Sequence, residues 1–192
     1  MQQWLFGCYE THVMRHTYVT LATLVLITFG INNSALSQGN YLDWIGKKLP
    51  NISLTSIDGT HVNTRSLEGK GMIINFWSVT CKPCIGEIPD LNRLKSEFKE
   101  VVFLAIAPES KGRIIEVINK HPFDFIVMPD GGKVLKTFGF TSFPITLFVD
   151  KNGIIKHLEI GAPSIQNPRT GQLESFAYEH YGYSIRKMLG KQ

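Results

Sequence analysis

Cys81-Lys82-Pro83-Cys84 follows an apolar run, Ile73-Ile74-Asn75-Phe76-Trp77, and these residues set the chemistry open to this chain. Two thiols three positions apart, just beyond a strand, can form a disulfide at the start of a helix. A helix N-terminus presents unpaired N–H groups and the positive end of the macrodipole. A thiolate held there has a lowered pKa and is a nucleophile near neutral pH. The second cysteine, one turn on, can attack a mixed disulfide and release the bound partner. The spacing therefore casts Cys81 as the attacking thiol and Cys84 as the resolving one. A structural zinc site needs four ligands, commonly a second Cys or His pair. The only other cysteine is Cys8, near the N-terminus, and the six histidines are scattered along the sequence with no ligand cluster. No metal and no cofactor is expected. A purely structural disulfide closing so short a loop would constrain the unfolded chain little. Redox chemistry is the reading that remains.

These thiols need a scaffold, and the periodicity around them describes one. Met72 to Phe76 is apolar except for Asn75, as in a strand buried on both faces. From Cys84 to Lys99, Ile85, Ile88, Leu91, Leu94 and Phe98 recur at spacings of three and four, which predicts an amphipathic helix kinked at Pro89. Val101–Ala107 reads as a second buried strand. Ile114, Ile115, Val117 and Ile118 mark a helix that ends before Pro122. Phe125–Met128 is a short strand, Val134, Leu135 and Phe138 a short helix, and Ile145–Val149 a strand. Asp150-Lys151-Asn152-Gly153 turns the chain into a last strand, Ile154–Ile160. Upstream, Ile52-Ser53-Leu54 and Thr60-His61-Val62 alternate about Asp58-Gly59 and predict an N-terminal β-hairpin. Residues 173–189 look helical without a clean apolar stripe; Phe176, Tyr178, Tyr181 and Tyr183 are read there as core. Strands alternating with helices and closing in a hairpin imply an α/β fold, a mixed sheet with helices on both faces.

At 192 residues, the chain has room for one domain and a leader. Tyr18–Ile31 is uncharged and mostly apolar, follows Arg15 and His16, and precedes Ala35-Leu36-Ser37, whose small residues suit a signal peptidase. Residues 1–37 are therefore read as a signal peptide cleaved before Gln38, with an uncleaved membrane anchor as the alternative; Met14 is a second possible start. Leu5-Phe6-Gly7-Cys8 lacks the preceding apolar run that a lipoprotein signal needs. Residues 38–48 are read as a linker and 49–192 as the folded domain. A net charge of +4 without a basic block or basic helix face argues against nucleic acid as a partner.

Together these residues resemble the thioredoxin superfamily, and more closely its exported TlpA/ResA-type thiol-disulfide oxidoreductases. The resemblance covers about Leu49 to Gly161. It rests on Asn75-Phe76-Trp77-Ser78-Val79-Thr80-Cys81-Lys82-Pro83-Cys84, on Phe143-Pro144-Ile145-Thr146 and on the hairpin around Asp58-Gly59. It implies a thioredoxin-like fold. It also implies that Pro144 follows a cis peptide bond, sits against the disulfide, and exposes backbone groups that pair with a partner's extended chain. Plain thioredoxin has an aspartate at the place of Asn75. In the TlpA/ResA branch the carboxylate lies on the active-site helix instead, here Glu87, one turn past Cys84. The resemblance gives Glu87 a proton-exchange role toward Cys84, against the alternative of a solvated glutamate paired with Lys95 or Lys82. Trp77, Lys82, Pro83 and Phe143 complete the expected surroundings. Thr80 stands where a tryptophan is frequent, and Glu109 is read as a surface charge.

The resemblance and the leader imply a reductase of disulfides in exported proteins, apocytochrome c among them. Its electrons would come from a membrane thiol-disulfide carrier, and its place would be the periplasm or the outer face of the cytoplasmic membrane. A disulfide-donating oxidase or isomerase has the same motif. A peroxiredoxin-type peroxidase would want Pro-x-x-x-Thr-x-x-Cys, and Ile74 occupies the proline position. A non-enzymatic binding module on the same scaffold is disfavoured by the intact cysteine pair.

Overall fold

The computed structural model describes residues 41–171 and 173–191, and Gly39–Gln192 forms one compact unit. Its frame is a five-stranded sheet in the order β5-β4-β3-β6-β7. The strands are β3 (Met72–Phe76), β4 (Val102–Ile106), β5 (Ile126–Met128), β6 (Ile145–Val149) and β7 (Ile155–Ile160). β3 and β6 are buried at every position, which explains their apolar character, broken only by Asn75 and Thr146. β3 runs parallel to β4 and antiparallel to β6, so the sheet is mixed.

Alternation along the strands sends side chains to two cores. Ile73, Phe103, Val127 and Phe148 pack with α1 (Lys82–Glu97), α2 (Lys111–Ile118) and α4 (Ala177–Met188). Ile74, Phe76, Leu104, Ile106 and Leu147 pack on the other side with α3 (Gly132–Phe138) and with Ile52 and Val62. Helices therefore cover both faces. The predicted N-terminal hairpin is present as β1 (Ser53–Thr55) and β2 (His61–Asn63). Its turn carries Gly59 at φ 91°, a conformation that side-chain-bearing residues rarely adopt, while Asp58 Oδ1 accepts from Thr60 N–H. α1 buries Cys84, Glu87, Ile88, Leu91 and Leu94 and continues through Pro89. Each buried aliphatic side chain on that face stabilises by about 1.5–3 kcal/mol.

Three segments differ from expectation. Residues 41–48, read as linker, pack onto the domain: Trp44 Nε1 donates to Phe138 O at 3.0 Å, and Tyr41 sits edge-on to Phe140. Residues 173–175 are not helical. They form β9 (Leu173–Ser175), paired with β8 (Ser164–Gln166) in a small hairpin that strand periodicity over so few residues does not reveal. α4 does have an apolar stripe: Ala177, Tyr181 and Ile185, at spacings of four, are all buried. Of the four aromatics assigned to the core, Tyr181 is fully buried, Phe176 and Tyr178 are half-buried, and Tyr183 faces solvent. No helix among the described residues is long and apolar enough to cross a membrane. The leader read at 1–37 lies outside the described residues.

Candidate active site

The strand β3 ends at Phe76, and six residues later, at Lys82, the chain enters α1. Cys81 is the N-cap of that helix, in extended conformation, and its Sγ accepts from Cys84 N–H at 3.2 Å. Pro83 lies in the first turn, where its missing N–H costs no hydrogen bond. The structure joins Cys81 and Cys84 in a disulfide with Cα atoms 5.3 Å apart. Cys81 is partly exposed and Cys84 is buried. A partner's sulfur can therefore reach Cys81, while Cys84 is reached only from within. The backbone N–H aimed at Cys81 Sγ would stabilise negative charge there once the disulfide opens.

Behind Cys84, one helical turn along, Glu87 is 1% exposed. Asn75 Nδ2 donates to Glu87 Oε1 at 3.0 Å and also to Thr146 Oγ1 at 3.0 Å. The Tyr181 hydroxyl donates to Glu87 Oε2 at 3.2 Å. Burial dominates these hydrogen bonds and pushes the Glu87 pKa up from 4.5 to about 8. Glu87 is thus largely protonated at neutral pH and close to its midpoint a little above it. Neither Lys95 nor Lys82 partners it: Lys95 Nζ bonds Asp124 O, and Lys82 is exposed. Burial and the neighbouring Glu87 hold the Tyr181 phenol well above its ordinary range, so it stays a neutral donor.

The Phe143–Pro144 peptide bond is cis. Pro144 and Phe143 border a groove of about 360 Å³ with Lys82, Pro83 and Glu87, closed on its far side by Pro163 and Ser164 at the foot of the β8–β9 hairpin. Ser175 Oγ fixes the other strand of that hairpin to Asp90 of α1 at 2.6 Å. Lys82, Pro83, Glu87, Phe143 and Pro144 thus share one groove at the start of α1, and Asn75 reaches it through its bond to Glu87. Trp77 is fully buried in the same cluster as Cys84, edge-on to Phe123 at 5.5 Å, and so serves as a core aromatic.

Two expectations about charged and ligating residues fail. Glu109 is half-buried, and its Oε1 accepts from Ser78 Oγ at 2.6 Å, three residues before Cys81. The loop after β4 folds back on the active-site loop, a contact with no local signature. Two of the six histidines do join a possible ligand cluster: His157 and His180 both reach Glu159, although far apart in sequence.

A thioredoxin-type sheet, a disulfide at the N-terminus of α1 and a cis-proline loop beside it define a class, the thiol-disulfide oxidoreductases of the thioredoxin fold. Comparison with known proteins agrees. Residues 45–158 match the model of the AhpC/TSA family. The thiol-disulfide oxidoreductase ResA of Bacillus anthracis is 34% identical over 146 residues, covering 72% of this chain and 84% of that one. ResA of Geobacillus kaustophilus is 30% identical, covering 79% and 89%. Among solved structures, a thiol:disulfide interchange protein of the thioredoxin family from Chlorobium tepidum superimposes with a TM-score of 0.61 at 23% identity, covering 76% of this chain and 97% of its own. The thioredoxin domain of a Bacteroides vulgatus thiol-disulfide oxidoreductase gives 0.60 at 19%, covering 73% and 97%. The chain belongs to the AhpC/TSA family, on the branch of the ResA-type thiol-disulfide oxidoreductases, and it is an enzyme of that kind. Against the peroxidase alternative, Ile74 lies buried inside β3 where the peroxidase motif needs proline.

Proposed function

We propose that this enzyme works as a reductase of disulfides in exported proteins, with oxidised apocytochrome c, bearing Cys-x-x-Cys-His, as a substrate. The observation that carries the direction is the buried carboxyl of Glu87, one turn from Cys84. A strong oxidant stabilises its reduced form by stabilising a thiolate. A carboxyl group in a low-dielectric pocket does the opposite, because its charged form repels a nearby thiolate. Lys82 favours the Cys81 thiolate, but it is exposed and its field is screened by solvent. Glu87 is buried: when neutral it lends a thiolate no stabilisation, and when charged it repels one without screening, so the balance favours the dithiol acting as an electron donor.

In this reading the reduced enzyme presents its groove to an extended segment of the partner, with backbone groups beside Pro144 pairing to it. The Cys81 thiolate attacks one sulfur of the partner's disulfide. A Cys81–partner disulfide forms, and the partner's other sulfur leaves as a thiolate and takes a proton. Glu87 in its carboxylate form accepts the Cys84 proton, and the Cys84 thiolate attacks Cys81 Sγ. The partner's second sulfur leaves, the Cys81–Cys84 disulfide forms, and two electrons have passed to the partner. A membrane thiol-disulfide carrier would return the enzyme to its dithiol form. The sequence of residues 1–37, read as a leader, supports action in the periplasm or at the outer face of the cytoplasmic membrane, where disulfides persist.

The test is the equilibrium reduction potential of Cys81/Cys84, set against glutathione or dithiothreitol buffers and read by thiol trapping. A value below about −230 mV supports a reductase, and a value above about −150 mV overturns it in favour of an oxidase or isomerase. For the substrate, a Cys84→Ser protein should accumulate a mixed disulfide through Cys81 with an oxidised Cys-x-x-Cys-His peptide. Equal trapping of an unrelated disulfide peptide would remove apocytochrome c from the proposal.

A further inference from the structure

His157 and Glu159 lie two residues apart on β7, so their side chains leave the same face of the sheet. α4 packs on that face and brings His180 to them. His157 Nε2 is 3.1 Å from Glu159 Oε2, and His180 Nε2 is 2.8 Å from the same oxygen. The three ligand atoms all lie within 4.8 Å of one another. The rings are backed by aromatic neighbours: His157 lies 5.3 Å from Phe148, and His180 lies 5.9 Å from both Phe176 and Tyr181. The side chains retain 41%, 26% and 39% of their exposure for His157, Glu159 and His180, so an ion could enter and keep a water.

We propose that His157, Glu159 and His180 form a divalent transition-metal site, with zinc(II) as the fitting ion. Two imidazole nitrogens and one carboxylate oxygen suit zinc, which takes N and O ligands and accepts water in a fourth position. Calcium and magnesium prefer sites built from oxygen alone. Bonds of about 2.0–2.2 Å in a tetrahedron set ligand atoms roughly 3.3 Å apart. The two Glu159 contacts are already near that edge, and small rotations of half-exposed side chains would open them around an ion. As the cluster stands, each imidazole lends a proton to one carboxylate oxygen; the ion would take the place of both protons. Two ligands come from the end strand of the sheet and one from the C-terminal helix. A bound ion would thus staple α4 to β7, next to Tyr181, whose hydroxyl meets Glu87.

The experiment uses the full-length chain without an affinity tag, carrying Cys8→Ser, with Cys81 and Cys84 in their disulfide so that no thiol competes. Titration with zinc chloride, followed by calorimetry, should show one equivalent bound at micromolar or tighter affinity, with a rise in thermal midpoint at saturation. Cobalt chloride should produce the visible absorption of a four-coordinate ion. His157→Ala and His180→Ala should each weaken zinc binding at least tenfold, and Glu159→Gln should weaken it while keeping the packing. Absence of stoichiometric binding overturns the proposal, as does undiminished binding by the His157→Ala/His180→Ala double variant. A readout that does not depend on variant folding is the imidazole NMR of the unsubstituted histidines. Zinc must shift the His157 and His180 rings, and a titration that leaves both unmoved refutes the site.

Discussion

Replacing Glu87 by glutamine isolates the cost of keeping a carboxyl group in the core behind Cys84. Its folded-state pKa of about 8 lies above the ordinary value of 4.5. The folded state therefore binds the proton more tightly than the unfolded chain. The stabilisation linked to that proton is fully present below about pH 4.5 and is lost as pH rises through 8. A displacement of this size corresponds to roughly 5 kcal/mol in the high-pH limit, and to roughly 4 kcal/mol between pH 5 and pH 9. Glutamine mimics the protonated acid in shape and charge but has no proton to lose. It can still accept from Asn75, and its amide can donate to the Tyr181 oxygen. Any change in packing would be the same at every pH, and all other titrating groups are common to both proteins. Urea denaturation of the oxidised proteins at constant ionic strength, from pH 5 to pH 9, measures the difference directly. Glu87→Gln should gain on the parent protein steadily with pH, by roughly 4 kcal/mol across that range. A difference that stays flat within about 1 kcal/mol would mean that Glu87 titrates normally in the folded state and that its burial costs nothing.

Tyr181→Phe removes the hydroxyl that donates to Glu87 Oε2. That bond lowers the Glu87 pKa, so its loss should move the pH window of the same denaturation series upward and cost about 1 kcal/mol at neutral pH. Gly131→Ala should destabilise by about 1–3 kcal/mol, read as a lower urea midpoint: its methyl would lie 2.3 Å from Ile106 Cγ2 and 3.1 Å from Ala107 O. Leu91→Ala empties a fully buried position on the inner face of α1 and should cost about 2–5 kcal/mol in the same assay.

The legible parts of this molecule were those whose signals are local. Cys81 and Cys84 are close in sequence, and the strand before them and the helix after them are long enough to show their periods. Glu87 lies three residues from Cys84, so the helix period alone puts both on one side. Its depth of burial was not local: it depends on Asn75, Thr146 and Tyr181 from three other elements. The same limit hid Glu109, whose partner Ser78 is on another loop, and the meeting of His157 with His180 across β7 and α4. The β8–β9 hairpin escaped for a different reason. Its strands, Ser164–Gln166 and Leu173–Ser175, have no Asp-Gly turn between them like that of β1–β2, and the Tyr-rich segment after them obscured where the helix starts.

Asn75 shows why the acid sits on the helix and an amide on the strand. Nδ2 donates to both Glu87 Oε1 and Thr146 Oγ1 at 3.0 Å. An aspartate at position 75 would have no N–H to give. It would place a second carboxyl against Glu87 in a buried site, where two like charges within hydrogen-bond distance cannot both ionise. With the amide in place, Glu87 can gain or lose its proton while its two oxygens remain hydrogen-bonded, one by Asn75 and one by Tyr181. The polar row continues outward through register partners on one face of the sheet, Asn75 opposite Thr146 and Thr146 opposite Glu159. A face otherwise made of Ile73, Phe103, Val127 and Phe148 carries this row with its polar groups partnered: Asn75 donates to Glu87 and Thr146, and Glu159 accepts from His157 and His180. The acid behind Cys84 thereby stays titratable near neutral pH, as proton exchange with a thiol requires.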